Sequence, residues 1–420
     1  MVPQMKTALR RGWRDLNTVQ FGMAPAHALT LGPVDTATGS FLDLLNGTRG
    51  LPLLREEGRR MDLPDGHVDR LVTRLARAGL LDDARGGGPA ADELRARKAV
   101  LDRLRPDLAS LSLLATEPGE AIGRLAARRS LRVQVRGAGR VGALVASLLA
   151  AAGVGEVDVC DSGRVEPGDV APGGLPAESV GERRADSARR AARCHAPDRP
   201  PRRGPRSARH ATAAAPAPST VPDASPGTGS TALSLVILTP RDDVAVHAPD
   251  PATAALLASG TPHLYAGVVE ATGVIGPLVL PGDTGCAGCL QETRTDRDPT
   301  WPRLIAQWRS GAPRPARACD LALATTVAGL TAAHALTFLD GRVPTSAGAR
   351  WETSLPALHW HARPVTAHPA CRCGAAVRTE DGHTSDEEER RATMAVQGPS
   401  KESSRTADAA RPAGTWRAHV

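Results

Sequence analysis

The sequence predicts an α/β fold, a parallel sheet with flanking helices, preceded by a small winged-helix-like α+β domain. Three observations point there. An apolar run at residues 131–135 passes directly into Gly137-Ala138-Gly139-Arg140-Val141-Gly142, then into helical spacing at 141–152 and a second strand at 154–160. Strand, glycine turn, helix and strand in that order make a βαβ unit, with strands apolar enough to be buried on both faces. A further buried strand is expected at 233–238. Before residue 85, short strands at 18–22 and 28–31 accompany three helical patterns, the mix expected of a small winged-helix-like unit.

Taken in order, the first helix spans 37–45 and stops at Asn46-Gly47, a common C-terminal signal. A second short helix covers 51–58. Residues 67–81 place Val68, Leu71, Val72, Leu75, Leu80 and Leu81 at amphipathic helical spacing. Gly86-Gly87-Gly88-Pro89 closes this first unit (1–85) and opens a helical connector (86–130), with helical patterning at 92–114. The nucleotide-type domain then occupies 131–376. Residues 197–229 are rich in Pro, Ala, Arg, Ser and Thr, and the tail at 377–420 is polar, so both are expected to be disordered. The stretch 321–339 has about the minimum length for a membrane span, yet carries Thr325, Thr326 and His334 and starts beside Asp320. It reads as a buried helix.

At 420 residues the chain is too long for one small core and should hold two or three structural units. Its net charge of +7 comes almost wholly from arginine, much of it in Ala/Pro/Arg-rich stretches, and only one tyrosine and three phenylalanines are available to stack on bases. Nucleic-acid binding is therefore disfavoured. Residues 1–19 are polar and charged, without a secretory apolar region. Seven cysteines, mostly in short-range pairs, then read as metal ligands of a cytoplasmic protein rather than as disulfides.

Gly137 and Gly139 permit a tight turn and close approach of the backbone to phosphate, and Gly142 lets the helix pack near the strand. Asp161 ends the following strand, where a carboxylate accepts from ribose hydroxyls. Cys286-Ala287-Gly288-Cys289 and Cys371-Arg372-Cys373 offer four thiolates, enough to hold one structural zinc with no open coordination site. His368 is a candidate substitute ligand or a supporting partner. Cys160 lies in a strand and reads as packing, Cys194-His195 borders the linker, and Cys319-Asp320 opens the long helix. His359 and His361 fit a solvent-facing strand.

The glycine loop, Leu148-Leu149-Ala150-Ala151-Ala152-Gly153-Val154-Gly155, the segment from Asp161 to Val165, Val180-Gly181-Glu182-Arg183-Arg184-Ala185, and Asp242-Asp243 after a buried strand together resemble the ThiF/MoeB adenylyltransferases. These are bacterial relatives of ubiquitin-activating enzymes with a Rossmann-like domain. Gly276-Pro277-Leu278-Val279-Leu280-Pro281-Gly282, leading into Cys286, is similar to the run before that family's first zinc pair. The resemblance spans 131–374. It implies ATP and Mg2+ as well as Zn2+, and adenylation of the carboxylate of a small ubiquitin-like carrier protein or of a peptide. It assigns the nucleotide to Gly137, Gly139, Gly142 and Asp161, the phosphates to Arg184 and the magnesium to Asp242. The chain departs from the family where Asn and Arg are expected, with Asp169 and Pro172 in their places, while Arg184 stands for a lysine. Cys319 occupies a region where family members can carry a reactive cysteine.

A winged-helix-like unit ahead of such a domain resembles the fused partner proteins of azoline-forming peptide-modification systems, whose N-terminal domains take a leader peptide as an added strand. Two other readings stay open. One is a non-catalytic leader-peptide scaffold for a separate cyclising enzyme. The other is a nucleotide-sensing winged-helix transcription regulator. Dimerisation is left open.

Overall fold

β6 (Arg132–Arg136) lies near the middle of a seven-stranded sheet, between β7 (Glu156–Cys160) and β8 (Leu235–Leu238) and parallel to both. The computed structural model describes residues 1–198, 233–241, 251–310 and 317–376, with backbone only at 251 and 252. Of the disorder expected at 197–229, residues 197 and 198 are described, with Asp198 paired to Arg97 and Arg129, and the rest, the tail at 377–420 and Asp242 lie outside these residues. The sheet continues through β9 (His263–Val269), β10 (Thr272–Val279), β11 (Ala349–Ser354) and β12 (His361–Pro364), in the order β12-β11-β10-β9-β8-β6-β7.

Only β7, β6, β8 and β9 run parallel; β10, β11 and β12 are antiparallel. The sheet is thus mixed, where the sequence predicted parallel strands. A two-residue turn causes the reversal. Glu270 and Ala271 both have positive φ, as a hairpin between right-twisted strands demands, and Thr272 pairs back on Val269.

The strands differ in burial more than their composition suggested. β8 is buried at every position, because two separate cores meet on it. Leu235 and Ile237 face the core built with α7 (Arg140–Ala151) and α12 (Leu321–Leu339). Val236 and Leu238 face a smaller core with Tyr265, Leu256 and the cysteines. β6 alternates instead, with Val133 and Val135 buried and Arg132, Gln134 and Arg136 half-buried. Polar partners account for that side: Arg136 Nε donates to Gln134 at 2.9 Å, and Asp158 accepts from Arg189 at 2.9 Å.

α12 is long and apolar enough to cross a membrane, yet Leu323, Val327, Ala328, Thr331, Ala332 and Ala335 are buried against α7, β9 and β10. It is a core helix, as its interrupting polar residues suggested. Asp320 caps it by accepting from the Leu323 N–H at 2.9 Å.

In the first unit, β1 (Pro3–Met5) pairs with β5 (Leu81–Asp83), while β2 (Arg11–Asp15), β3 (Thr18–Phe21) and β4 (Leu29–Leu31) form a second antiparallel sheet. α1 (Thr36–Phe41), α2 (Leu51–Arg60) and α3 (His67–Arg77) supply the three expected helices, and Val19, Phe21, Phe41, Leu54 and Leu75 form their shared core. The connector is α4 (Gly88–Ala96), α5 (Lys98–Leu114) and α6 (Glu120–Ala127), broken at Arg97 where the sequence predicts one continuous helical pattern at 92–114.

One buried ion pair fixes the connector to the large core. Arg128 meets Asp340 through two hydrogen bonds of 2.8 and 2.7 Å, and its Nη1 donates to the Ala152 carbonyl at 3.1 Å. Both side chains are almost fully buried. Removing one partner strands a charge, so Asp340→Ala should lower unfolding stability by about 3–5 kcal/mol. Arg128→Met combined with Asp340→Leu should recover much of that loss in denaturant titration. Equal loss in the single and double variants would contradict this account.

Candidate nucleotide and metal sites

The glycine loop closes over the carboxyl end of β6. Gly137 has φ of +104°, and a Cβ there would lie 2.0 Å from the Thr239 carbonyl oxygen. Gly142 is held as tightly, since its Cβ would meet the Gly137 oxygen at 2.0 Å and Thr239 Oγ1 at 2.3 Å. Thr239, just after β8, donates through Oγ1 to the Gly137 carbonyl at 2.8 Å. The loop is thereby clamped between two strand ends, and Gly139 becomes the N-cap of α7. Helix amides that lack intrahelical partners gather there, a natural seat for an anion. Arg140 ties the same turn to the entry of α12, donating to the Cys319 carbonyl at 2.7 Å.

Asp161 follows β7 and organises the floor. Its Oδ2 accepts from the Ala138 N–H at 2.8 Å, while Oδ1 accepts from Gly163 N–H at 2.8 Å and Arg184 Nε at 3.0 Å. Oδ2 keeps acceptor capacity for one more donor. Arg184 opens α8 (Arg184–His195) and is buried, with Nη1 donating to the Arg164 carbonyl at 2.6 Å and to Asp169 Oδ2 at 3.4 Å. Gly163 is glycine because a Cβ would sit 1.9 Å from Arg184 Nη2. Arg184 therefore braces Asp161 and Asp169 from below.

A second cation, which the sequence reading did not single out, lies above the loop. Arg241 follows Thr239-Pro240, and a Cβ on Gly139 would be 3.2 Å from its Cγ. Its guanidinium pairs with Glu166 at 2.9 Å and with Asp169 at 3.0 Å. Burial alone would disfavour its charge, but the hydrogen bonds it donates to Glu166 and the nearby Asp169 carry the balance toward the charged form. Glu166 is held below the usual carboxylate range, first by its hydrogen bond to Arg241. Asp169, where the sequence resemblance expects asparagine, is buried and serves both arginines. Pro172 is exposed and carries no donor. A cation directly before Asp242 was the sequence signal for Arg241.

The four cysteines of the two pairs converge. Their sulfurs all lie within 4.8 Å of one another, with Cys286–Cys289 at 3.8 Å, Cys286–Cys371 at 3.6 Å and Cys289–Cys373 at 3.4 Å. Four sulfurs placed tetrahedrally at the usual zinc distance would be about 3.8 Å apart, so the donor set fits that ion. Cys286 caps α10 (Ala287–Arg297), and Gly288 admits the second pair because a Cβ there would lie 2.9 Å from Cys371 Sγ. The hydrogen bond with Cys286 holds the Cys289 thiol low, whereas burial pushes the Cys371 thiol up. His368 does not replace a cysteine in this donor set: its Nε2 meets Asp296 Oδ2 at 2.8 Å, while its backbone hydrogen-bonds to Cys289.

The model of the ThiF family matches residues 121–375. The chain belongs to the ThiF family. Similar solved structures of this ThiF-type architecture include E. coli MccB with ATP, at 14% identity and a TM-score of 0.60 over 89% of this chain and 99% of that one. The microcin C7 biosynthetic enzyme MccB in complex with N-formylated MccA matches at 14% identity and 0.60, over 89% and 100%. The heterocyclase TruD is similar at 17% identity and 0.55, over 89% of this chain and 43% of that one. At such identities the likeness establishes the fold. No curated protein sequence matches the chain.

Within this ThiF-family chain, Gly137, Gly139, Gly142, Asp161 and Arg184 are brought together, and so are the four cysteines. Asp242 lies outside the described residues. Cys160 is half-buried rather than packed in a core, its thiol 3.7 Å from Asp158 and pushed up first by burial and then by that carboxylate, and Cys319 is half-buried with its carbonyl engaged by Arg140. The clamp on the loop is testable. Gly142→Ala forces a methyl into backbone and should cost about 1–3 kcal/mol of stability by denaturant titration. Gly139→Ala faces only a side chain that can yield, and should cost much less. Equal losses in both would contradict the clamp.

Proposed function

We propose that the chain activates a peptide carboxylate by adenylation, with ATP as the second substrate. One observation carries this reading: the α7 N-terminus, Asp161 and Arg241 meet at the carboxyl ends of parallel strands, where open α/β sheets bind their ligands. The remaining acceptor capacity of Asp161 suits a ribose hydroxyl, and the loop amides suit phosphate. In the reaction a carboxylate oxygen bonds to the α-phosphorus while the bond to pyrophosphate breaks. Negative charge then grows on the departing pyrophosphate, which preorganised cations stabilise. Magnesium, with Asp242 as its expected ligand, would supply further neutralisation there. MccB has been solved with ATP and with MccA, in keeping with a nucleotide and a second molecule sharing one such fold.

The acceptor is proposed to be a precursor peptide rather than a ubiquitin-like carrier. β2 is an outer strand of its sheet, all five of its residues are exposed, and such an edge can take an added strand. A leader-peptide scaffold for a cyclising enzyme is the second reading, favoured by Pro172 where the family has a cation. Labelled pyrophosphate exchange into ATP, with a panel of peptides, separates the two. Peptide-dependent exchange is expected. Peptide binding without exchange would replace adenylation with the scaffold.

We further infer one structural zinc, held by Cys286, Cys289, Cys371 and Cys373, joining the start of α10 to the segment after β12. Free thiols of this kind fit a cytoplasmic setting. Metal analysis should return one zinc per chain, lost together with thermal stability in Cys286→Ser and in Cys371→Ser. Equal metal content in wild type and both variants would overturn the assignment.

A further inference from the structure

Glu166 and Asp169 both bind Arg241, but they are not equivalent. Asp169 is buried, receives the Glu166 N–H at 2.9 Å and also contacts Arg184, so it cannot leave without uncovering two cations. The Glu166 side chain is 63% exposed and uses both oxygens on Arg241, at 2.9 and 3.3 Å. Its Oε1 is also 4.0 Å from Arg184 Nη1. An exposed carboxylate thus sits bidentate on a guanidinium whose stem covers Gly139, beside the helix amides that attract anions. Arginine binds carboxylate and phosphate with the same fork. Glu166 therefore makes with Arg241 the kind of two-oxygen contact that a phosphate would make.

We propose that Arg241 is the phosphate-neutralising cation of this site, replacing the arginine absent at Pro172, and that Glu166 holds it until a nucleotide phosphate displaces the carboxylate. This rests on the nucleotide reading above. Asp169 remains in place as the anchor during the exchange, and Glu166 returns to water, where an exposed carboxylate loses little. Arg241 is thereby kept paired when the site is empty, and a ligand with too little negative charge does not release Glu166. Arg241 is a binding residue under this proposal, and Glu166 a competitor built into the chain.

Calorimetric titration of the full-length protein with ATP, inorganic pyrophosphate and adenosine tests it. Glu166→Gln should tighten ATP and pyrophosphate binding by several-fold, since the competitor loses its charge. Arg241→Ala should weaken both by about tenfold or more, the worth of a charge-assisted hydrogen bond, and Arg241→Lys should fall between. Adenosine affinity should be the same in every variant, which also reports that each is folded. ATP affinity unchanged in Arg241→Ala, with adenosine still bound, would overturn the proposal and leave the nucleotide reading standing. Weaker ATP binding in Glu166→Gln would show the carboxylate to be a support rather than a competitor, and would overturn it too. Failure of wild type to bind ATP and adenosine alike would remove the nucleotide reading and this proposal with it.

Discussion

Burying the Asp169 carboxylate is the constraint around which the nucleotide end of this protein is arranged. A carboxylate at 3% exposure is costly unless cations and hydrogen bonds surround it. Here they come from three different segments: the turn before it through the Glu166 N–H, the start of α8 through Arg184, and the end of β8 through Arg241. Satisfying that single charge pulls together the loops that follow two parallel strands. The same arginine that serves Asp169 also orients Asp161, whose oxygens hold the glycine loop by the Ala138 amide. Position 169, where the sequence resemblance expects asparagine, thus carries a charge that Arg184 and Arg241 both answer.

The second organising element is the cysteine cluster, on the other side of β8 from the α7–α12 core. Cys286 and Cys289 sit among Val236, Leu238 and Tyr265, so a metal there would stabilise the apolar core as well as the segment that follows β12. The two centres meet through β8. Its residues alternate between the two cores, and its end supplies Thr239 and Arg241 to the glycine loop.

Much of this was legible in the sequence where the signal is local. The glycine positions encode a backbone that admits no Cβ, and Gly137 and Gly142 are indeed closed off by Thr239. The cysteine pairs are short-range in sequence, and only their meeting is long-range. The helix at 321–339 was readable from the polar residues that interrupt it. What escaped were features without a local period. β2, Arg-Gly-Trp-Arg-Asp, is exposed at every position and shows no apolar alternation. The antiparallel half of the sheet depends on a turn at Glu270-Ala271, which carries none of the usual glycine or asparagine signals. The partnership of Glu166 with Arg241 joins residues far apart in sequence, and charge pairing of that kind leaves no spacing to read. Buried charge pairs such as Arg128 with Asp340 are hidden for the same reason.

The central claim is that an anionic nucleotide binds between the glycine loop, Asp161 and Arg241. The most direct measurement is a crystal structure of the full-length protein with a non-hydrolysable ATP analogue and magnesium. The account predicts phosphates at the N-terminus of α7 in contact with Arg241, the ribose on Asp161, and Glu166 turned away from the guanidinium. An analogue bound elsewhere, or bound here with Glu166 still paired to Arg241, would contradict it.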